Sequence, residues 1–157
     1  MKRIFNITAH GAIADSPELQ TAAIQKAIDE CFFSGGGEVR VPAGVFRSGG
    51  LLLRSNVTLH LQTGAVLLGS RDPGDYLFPD DRLGPALNGE ADRHFTANGL
   101  SRWNNALIRA LGAENIAVTG DPGSVIDGND CFDETGEEHY RGPHAVTFRS
   151  CRGVSFR

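Results

Sequence analysis

The chain has 157 residues, 40% hydrophobic and 22% charged, with a formal net charge of −4. That composition suits a soluble globular fold and offers no basic surface for a nucleic-acid partner. No apolar run reaches the length of a membrane span, and Met1-Lys2-Arg3-Ile4-Phe5-Asn6 turns polar before a signal-peptide core forms. A cytoplasmic location is therefore expected for the chain as given, and a periplasmic or secreted one if a leader has been removed.

The first organised element is a helix, expected over about 17–33. Asp15-Ser16 offers capping oxygens, Pro17 suits the first helical position, and Glu18 sits where the helix dipole favours an anion. Leu19, Ala23, Ile24, Ala27, Ile28, Cys31 and Phe32 fall at the three-and-four spacing of one buried stripe, and Gly35-Gly36-Gly37 ends the helix. That glycine run follows a helix and lacks the Lys-Ser/Thr of a phosphate loop, so it does not indicate a nucleotide site. Two short strands follow, Glu38 to Val41 and Val45 to Phe46, broken by a Pro/Gly corner.

A phrase then recurs: a polar residue, an alternating apolar strand, a Gly-containing corner and a second strand about nine positions after the first. Asn56-Val57-Thr58-Leu59-His60-Leu61 leads to Gly64-Ala65-Val66-Leu67-Leu68, and Asn115-Ile116-Ala117-Val118 leads to Gly123-Ser124-Val125-Ile126. A third copy opens at Gly153-Val154-Ser155-Phe156. A solenoid needs this pattern, because each rung buries its inward side chains on the rung beneath. Val57, Leu59, Leu61, Ile116, Val118 and Val125 are the expected inward positions, the helix covers the first rung, and Asn56 and Asn115 are placed to stack as an amide ladder. Between about 69 and 105 the periodicity is lost, and this charged, turn-rich stretch with Asp80-Asp81 and Trp103 is expected to leave the solenoid at one corner and to wall a groove or merely decorate the surface. The last strand runs into Arg157 without a closing cap. The expectation is therefore that residues 1–157 form the N-terminal part of a single longer β-helix domain, with self-association through the open C-terminal end possible. The alternative is a short complete solenoid closed by dimerisation.

The three cysteines, Cys31, Cys131 and Cys151, are expected as free thiols. With His139 and His144 their spacings match no zinc arrangement, so neither metal nor cofactor is expected. Thirteen arginines against two lysines would suit an acidic sugar polymer, although nucleotide bias in the source gene accounts for the excess as well.

Three of these stretches, Ala22 to Asp29, Gly35 to Phe46, and Leu51 to Leu59 continued by Gly64 to Ser70, resemble the N-terminal portion of glycoside hydrolase family 28, the polygalacturonases. Ala113 to Gly120 and Val125-Ile126-Asp127-Gly128 are similar to that family's approach to its active-site rungs. The resemblance implies a right-handed parallel β-helix of the pectin-lyase-like class and inverting hydrolysis of α-linked galacturonic acid in pectin. Inversion needs a carboxylic acid and a carboxylate base roughly 6.5 to 9.5 Å apart. The family supplies these from Asn-Thr-Asp and Asp-Asp motifs, supported by Gly-His-Gly and Arg-Ile-Lys.

None of those four strings occurs at a matching point. Asp80-Asp81 falls in the charged excursion and reads as a solvated loop pair. The segment after Gly128 also departs from the family, and Asp127 reads as a corner residue that satisfies backbone donors. No catalytic residue is therefore assigned, and this chain alone is expected to be inactive. Arg141 and His144, at a Gly-Pro corner leading into the strand Ala145 to Phe148, are the candidate substrate-binding residues. A polysaccharide lyase on the same fold and a non-catalytic carbohydrate-binding or adhesion β-helix are the alternatives.

Overall fold

The computed structural model of the protein describes residues 3–76, 105–132, 134 and 142–157. Asp80, Asp81, Trp103, His139 and Arg141 lie outside the described residues. The elements are β1 (Ile4–Asn6), a 3-10 turn Ile7–His10, α1 (Thr21–Phe33), β2 (Gly37–Val41), β3 (Gly44–Ser48), β4 (Leu51–Leu53), β5 (Val57–Leu61) and β6 (Ala65–Gly69). A second 3-10 turn, Pro73–Tyr76, is followed by β7 (Ala106–Leu111), β8 (Glu114–Gly120), β9 (Val125–Asp127), β10 (His144–Arg149) and β11 (Arg152–Phe156).

These strands form three sheets: sheet A in the order β1-β2-β5-β8-β11, sheet B in the order β3-β6-β9 and sheet C in the order β4-β7-β10. Every pairing is parallel. The chain visits A, B and C in turn and then starts again one layer higher, which makes a parallel β-helix. Val39, Leu59 and Val118 stack in register in sheet A, Phe46 and Leu67 in sheet B, and Leu51 and Ile108 in sheet C. These side chains form the continuous buried core, each fully buried residue contributing about 1.5–3 kcal/mol of transfer free energy.

Five of the six expected inward residues are at most 2% exposed, and Val125 is the exception at 44%. The register explains it. Val125 pairs with the outward Val66, and Ile126 pairs with the buried Leu67, so Ile126 takes the core position and Val125 the outer face. The helix also differs from expectation at its start, which is Thr21 instead of Pro17. The polar residues ahead of it serve the sheet: Asp15 Oδ1 accepts from Val45 N at 3.0 Å, the Asp15 amide donates to Val45 O at 2.8 Å, and Gln20 N donates to Arg47 O at 2.7 Å. Leu19 consequently falls outside the stripe and is exposed, while Ile24, Ala27, Ile28 and Cys31 are fully buried over the first rung.

The entry into sheet A carries a column of left-handed residues, Gly36, Asn56, Asn115 and Gly153, with φ of 100°, 62°, 53° and 62°. Asn115 Nδ2 donates to Asn56 Oδ1 at 3.2 Å, which realises the amide ladder. Gly36 is required for space as well as for φ, because a Cβ there would lie 2.4 Å from Asn56 O.

Candidate glycan-binding face

The corner between sheets B and C is unlike the other two. On the first rung it closes through Gly49 and Gly50 alone; on the second the chain leaves after Gly69 and returns at Ala106, and on the third it leaves after Asp127 and returns at His144. Both long connections therefore depart from the same side of the solenoid, next to the outer face of sheet C. A groove-lining site is expected where loops cluster beside a rigid sheet.

Alternation along the strands defines that outer face. Leu51 and Leu53 of β4, Ile108 and Ala110 of β7, and Val146 and Phe148 of β10 pack with the core. The intervening residues face outward, and the register aligns Leu52 with Arg109 and Arg109 with Thr147, and Leu111 with Arg149. Leu52 and Arg109 are 5% and 4% exposed, whereas Ala145 is exposed and Thr147 and Arg149 are partly so. Among the described residues the accessible part of the face is the third rung, and Arg109, in register with Thr147 one rung below, is buried. Burial pulls the Arg109 pKa down to about 10, which leaves it cationic at neutral pH. A cation in a low-dielectric wall projects its field further than one in water.

Of the predicted contacts, His144 opens β10 opposite Ala106, and its amide donates to Asn105 O at 2.8 Å. It is partly buried and falls in the alternation of Val146 and Phe148, not in that of Thr147 and Arg149. Asp127 Oδ1 accepts from Asn129 N at 2.7 Å, the corner role read from the sequence. The outward arginines were missed by sequence reasoning. The available signal was a single Arg inside the apolar run Ala106-Leu107-Ile108-Arg109-Ala110-Leu111.

A second polar line lies across the outer face of sheet A, where His60 Nδ1 is 2.9 Å from Thr119 Oγ1 and His60 Nε2 is 3.4 Å from Asp121 Oδ1. The order hydroxyl, imidazole, carboxylate is that of a nucleophile relay, but the strand amides around it are committed to ladder bonds and leave no oxyanion donors. It serves as a polar stack across two rungs. Among the described residues no group of three or more His, Cys, Asp or Glu could hold a metal ion, and no helix is long and apolar enough to cross a membrane. The three cysteines are free thiols.

No family model matches the chain. Over 127 residues, 81% of its length, it is 39% identical to an exo-poly-α-D-galacturonosidase of Dickeya chrysanthemi, with 20% of that relative covered. Over 110 residues, 67% of its length, it is 39% identical to a polygalacturonase of Ralstonia nicotianae, with 18% of that relative covered. The solved family 28 exopolygalacturonase of Yersinia enterocolitica superposes on 99% of the chain with a TM-score of 0.68 and 27% identity, using 34% of that structure. The chain thus spans about a fifth of the length of the curated relatives it matches.

Proposed function

From its standing as a polygalacturonase-like relative of glycoside hydrolase family 28, with that family's parallel β-helix, we propose that the protein is the N-terminal part of a hydrolase of pectic, galacturonic-acid-containing polysaccharide. The observation that carries this reading is the 39% identity to an exo-poly-α-D-galacturonosidase over 81% of the chain. Arg149 on the accessible third rung of sheet C supports it, because a polyuronate presents one carboxylate per sugar and a guanidinium pairs with carboxylate in a fork geometry.

Inverting hydrolysis requires one carboxylic acid to protonate the glycosidic oxygen while a carboxylate takes a proton from the attacking water, the two lying roughly 6.5 to 9.5 Å apart. We assign neither role here. Asp127 is engaged by the Asn129 amide, and the family's acid motifs have no string at a matching point of the chain. On this reading the acid pair belongs to rungs beyond Arg157 of the same β-helix domain. The part of residues 1–157 is then to hold the first rungs and to orient the anionic polymer, with Arg149 meeting the sugar carboxylates, the buried Arg109 adding its positive field from the rung below, and Arg141 and His144 as the further substrate contacts.

Reducing-end release from polygalacturonate tests this directly, comparing the chain alone with the reading frame continued past codon 157. The continued product should hydrolyse the polymer with inversion, seen by proton NMR of the first anomer formed, and the chain alone should give none. Unsaturated, ultraviolet-absorbing products would favour a lyase instead. Binding without bond cleavage would favour a carbohydrate-binding solenoid.

A further inference from the structure

The two long connections leave the solenoid by stems that are described, residues 70–76 and 127–132, and these stems are stitched together. The first is closed on itself and seated on the diglycine corner beneath it. Ser70 N donates to Ser48 O at 2.8 Å, Gly50 N donates to Asp75 O at 3.0 Å, and the Ser70 hydroxyl donates to the Asp75 carboxylate. Tyr76 is 1% exposed and its hydroxyl donates to Ser70 O at 2.6 Å. A Cβ on Gly49 would lie 2.2 Å from Asp75 O, so only glycine lets the stem sit this close.

The second stem turns through Asn129 and Asp130, both left-handed at φ 57° and 49°. Three bonds then join the stems. Asn129 Nδ2 donates to Gly69 O at 2.9 Å, Arg71 Nε donates to Asn129 O at 3.2 Å, and Cys131 Sγ donates to Arg71 O at 3.3 Å. On the return limb, a Cβ on Gly142 would lie 1.8 Å from Cys131 O, so that limb abuts the same joint. Neighbouring rungs of a solenoid need only ladder hydrogen bonds to stack, and this added set of side-chain bonds lies where the chain departs from the ladder.

We propose that Asn129 is a positioning residue which, with Arg71, locks the two stems into one unit beside the outer face of sheet C. The role toward glycan rests on the hydrolase reading above; the coupling of the stems does not. The side chain acts through the neighbouring backbone and touches no substrate. Its amide holds Gly69 O at the point where the first stem leaves β6, and its own carbonyl receives Arg71, so loosening either stem frees the other.

Amide hydrogen exchange on the 157-residue chain tests the joint. Asn129→Gly keeps the left-handed backbone and removes the amide, and Arg71→Ala removes the bond from the other side. With one or two hydrogen bonds lost, Asn129→Gly should speed exchange at Gly50, Gly74 and Asp75 by about threefold to tenfold, and Arg71→Ala should do the same at Asn129. Leu59 and Val118 in sheet A should not change under either substitution. Faster exchange confined to the stem that carries the substitution would overturn the joint. Trigalacturonate titrated into the same proteins separates the two claims: about threefold weaker binding in both variants is expected, whereas unchanged binding beside coupled exchange would overturn the role toward glycan and leave the joint standing.

Discussion

The first and last layers within residues 1–157 carry the same inward alternation of apolar residues and reach opposite outcomes. At the N-terminal end each sheet edge has its own cover. β1 pairs with β2 in sheet A, Asp15 and Gln20 bond β3 in sheet B, and Gln25 of α1 bonds β4 in sheet C. The last of these replaces a strand with a side chain: Gln25 Oε1 accepts from Leu52 N at 2.8 Å and Nε2 donates to Leu52 O at 3.0 Å. At the other end Val154 and Phe156 align with the buried Ile116 and Val118, yet they are 43% and 60% exposed. Parity chooses which side chain faces the core, and only the next layer buries it.

This contrast can be broken at its covered end with the largest effect. Phe46→Ala, in a fully buried position, should cost about 3–5 kcal/mol in chemical denaturation, whereas Phe156→Ala should cost less than about 1 kcal/mol. Equal losses at both positions would show that burial does not differ between the ends. Gln25→Leu keeps the volume and leaves the Leu52 amide and carbonyl without their partner, so a loss of about 1–3 kcal/mol is expected. In the ladder between the ends, Asn115→Ala forces a Cβ-bearing residue without a helping amide to φ 53°. It should cost about 1–2 kcal/mol, and Asn115→Gly less.

At the uncovered end the comparison is read in association. The apolar side chains and strand edge of the last layer should make the chain self-associate in sedimentation at micromolar concentration. Phe156→Ser should reduce that association with little change in the melting midpoint.

The smallest effect concerns Tyr76, whose pKa lies above the usual tyrosine range because of burial first and the neighbouring Cys131 and Asp75 second. A raised folded-state pKa gives stability that is fully present below the unfolded value of about 10 and is lost as pH rises through the folded value. Tyr76→Phe should remove that alkaline loss, which denaturation at pH 8 and pH 11 would measure, while leaving the Ser70 carbonyl without its donor.

The sequence made the architecture legible because period-two alternation and repeated Asn and Gly corners are local signals. Val57, Leu59, Ile116 and Val118 could be placed from them, and so could the Asn56–Asn115 ladder. Val125 was misplaced because Val125 and Ile126 are adjacent and equally apolar, and only the register to Leu67 decides between them. The helix start was misplaced because Asp15 and Ser16 are equally good partners for a helix end and for a sheet edge, and the edge of β3 won. The outward arginines of sheet C stayed hidden for a related reason. An outward residue on sheet C is recognisable only when one knows which corner releases the long connections, and that is a property of stacking between residues about sixty positions apart, as in the bond from Asn129 to Gly69.

On the proposed function, the third rung of sheet C meets the acidic glycan. The most direct test is the map of backbone amide NMR shifts on titrating trigalacturonate into the labelled chain. Shifts concentrated at Ala145, Thr147 and Arg149, and abolished by Arg149→Gln, are the predicted result. Shifts concentrated instead on the outer face of sheet A around His60 and Thr119, or none at millimolar sugar, would contradict it.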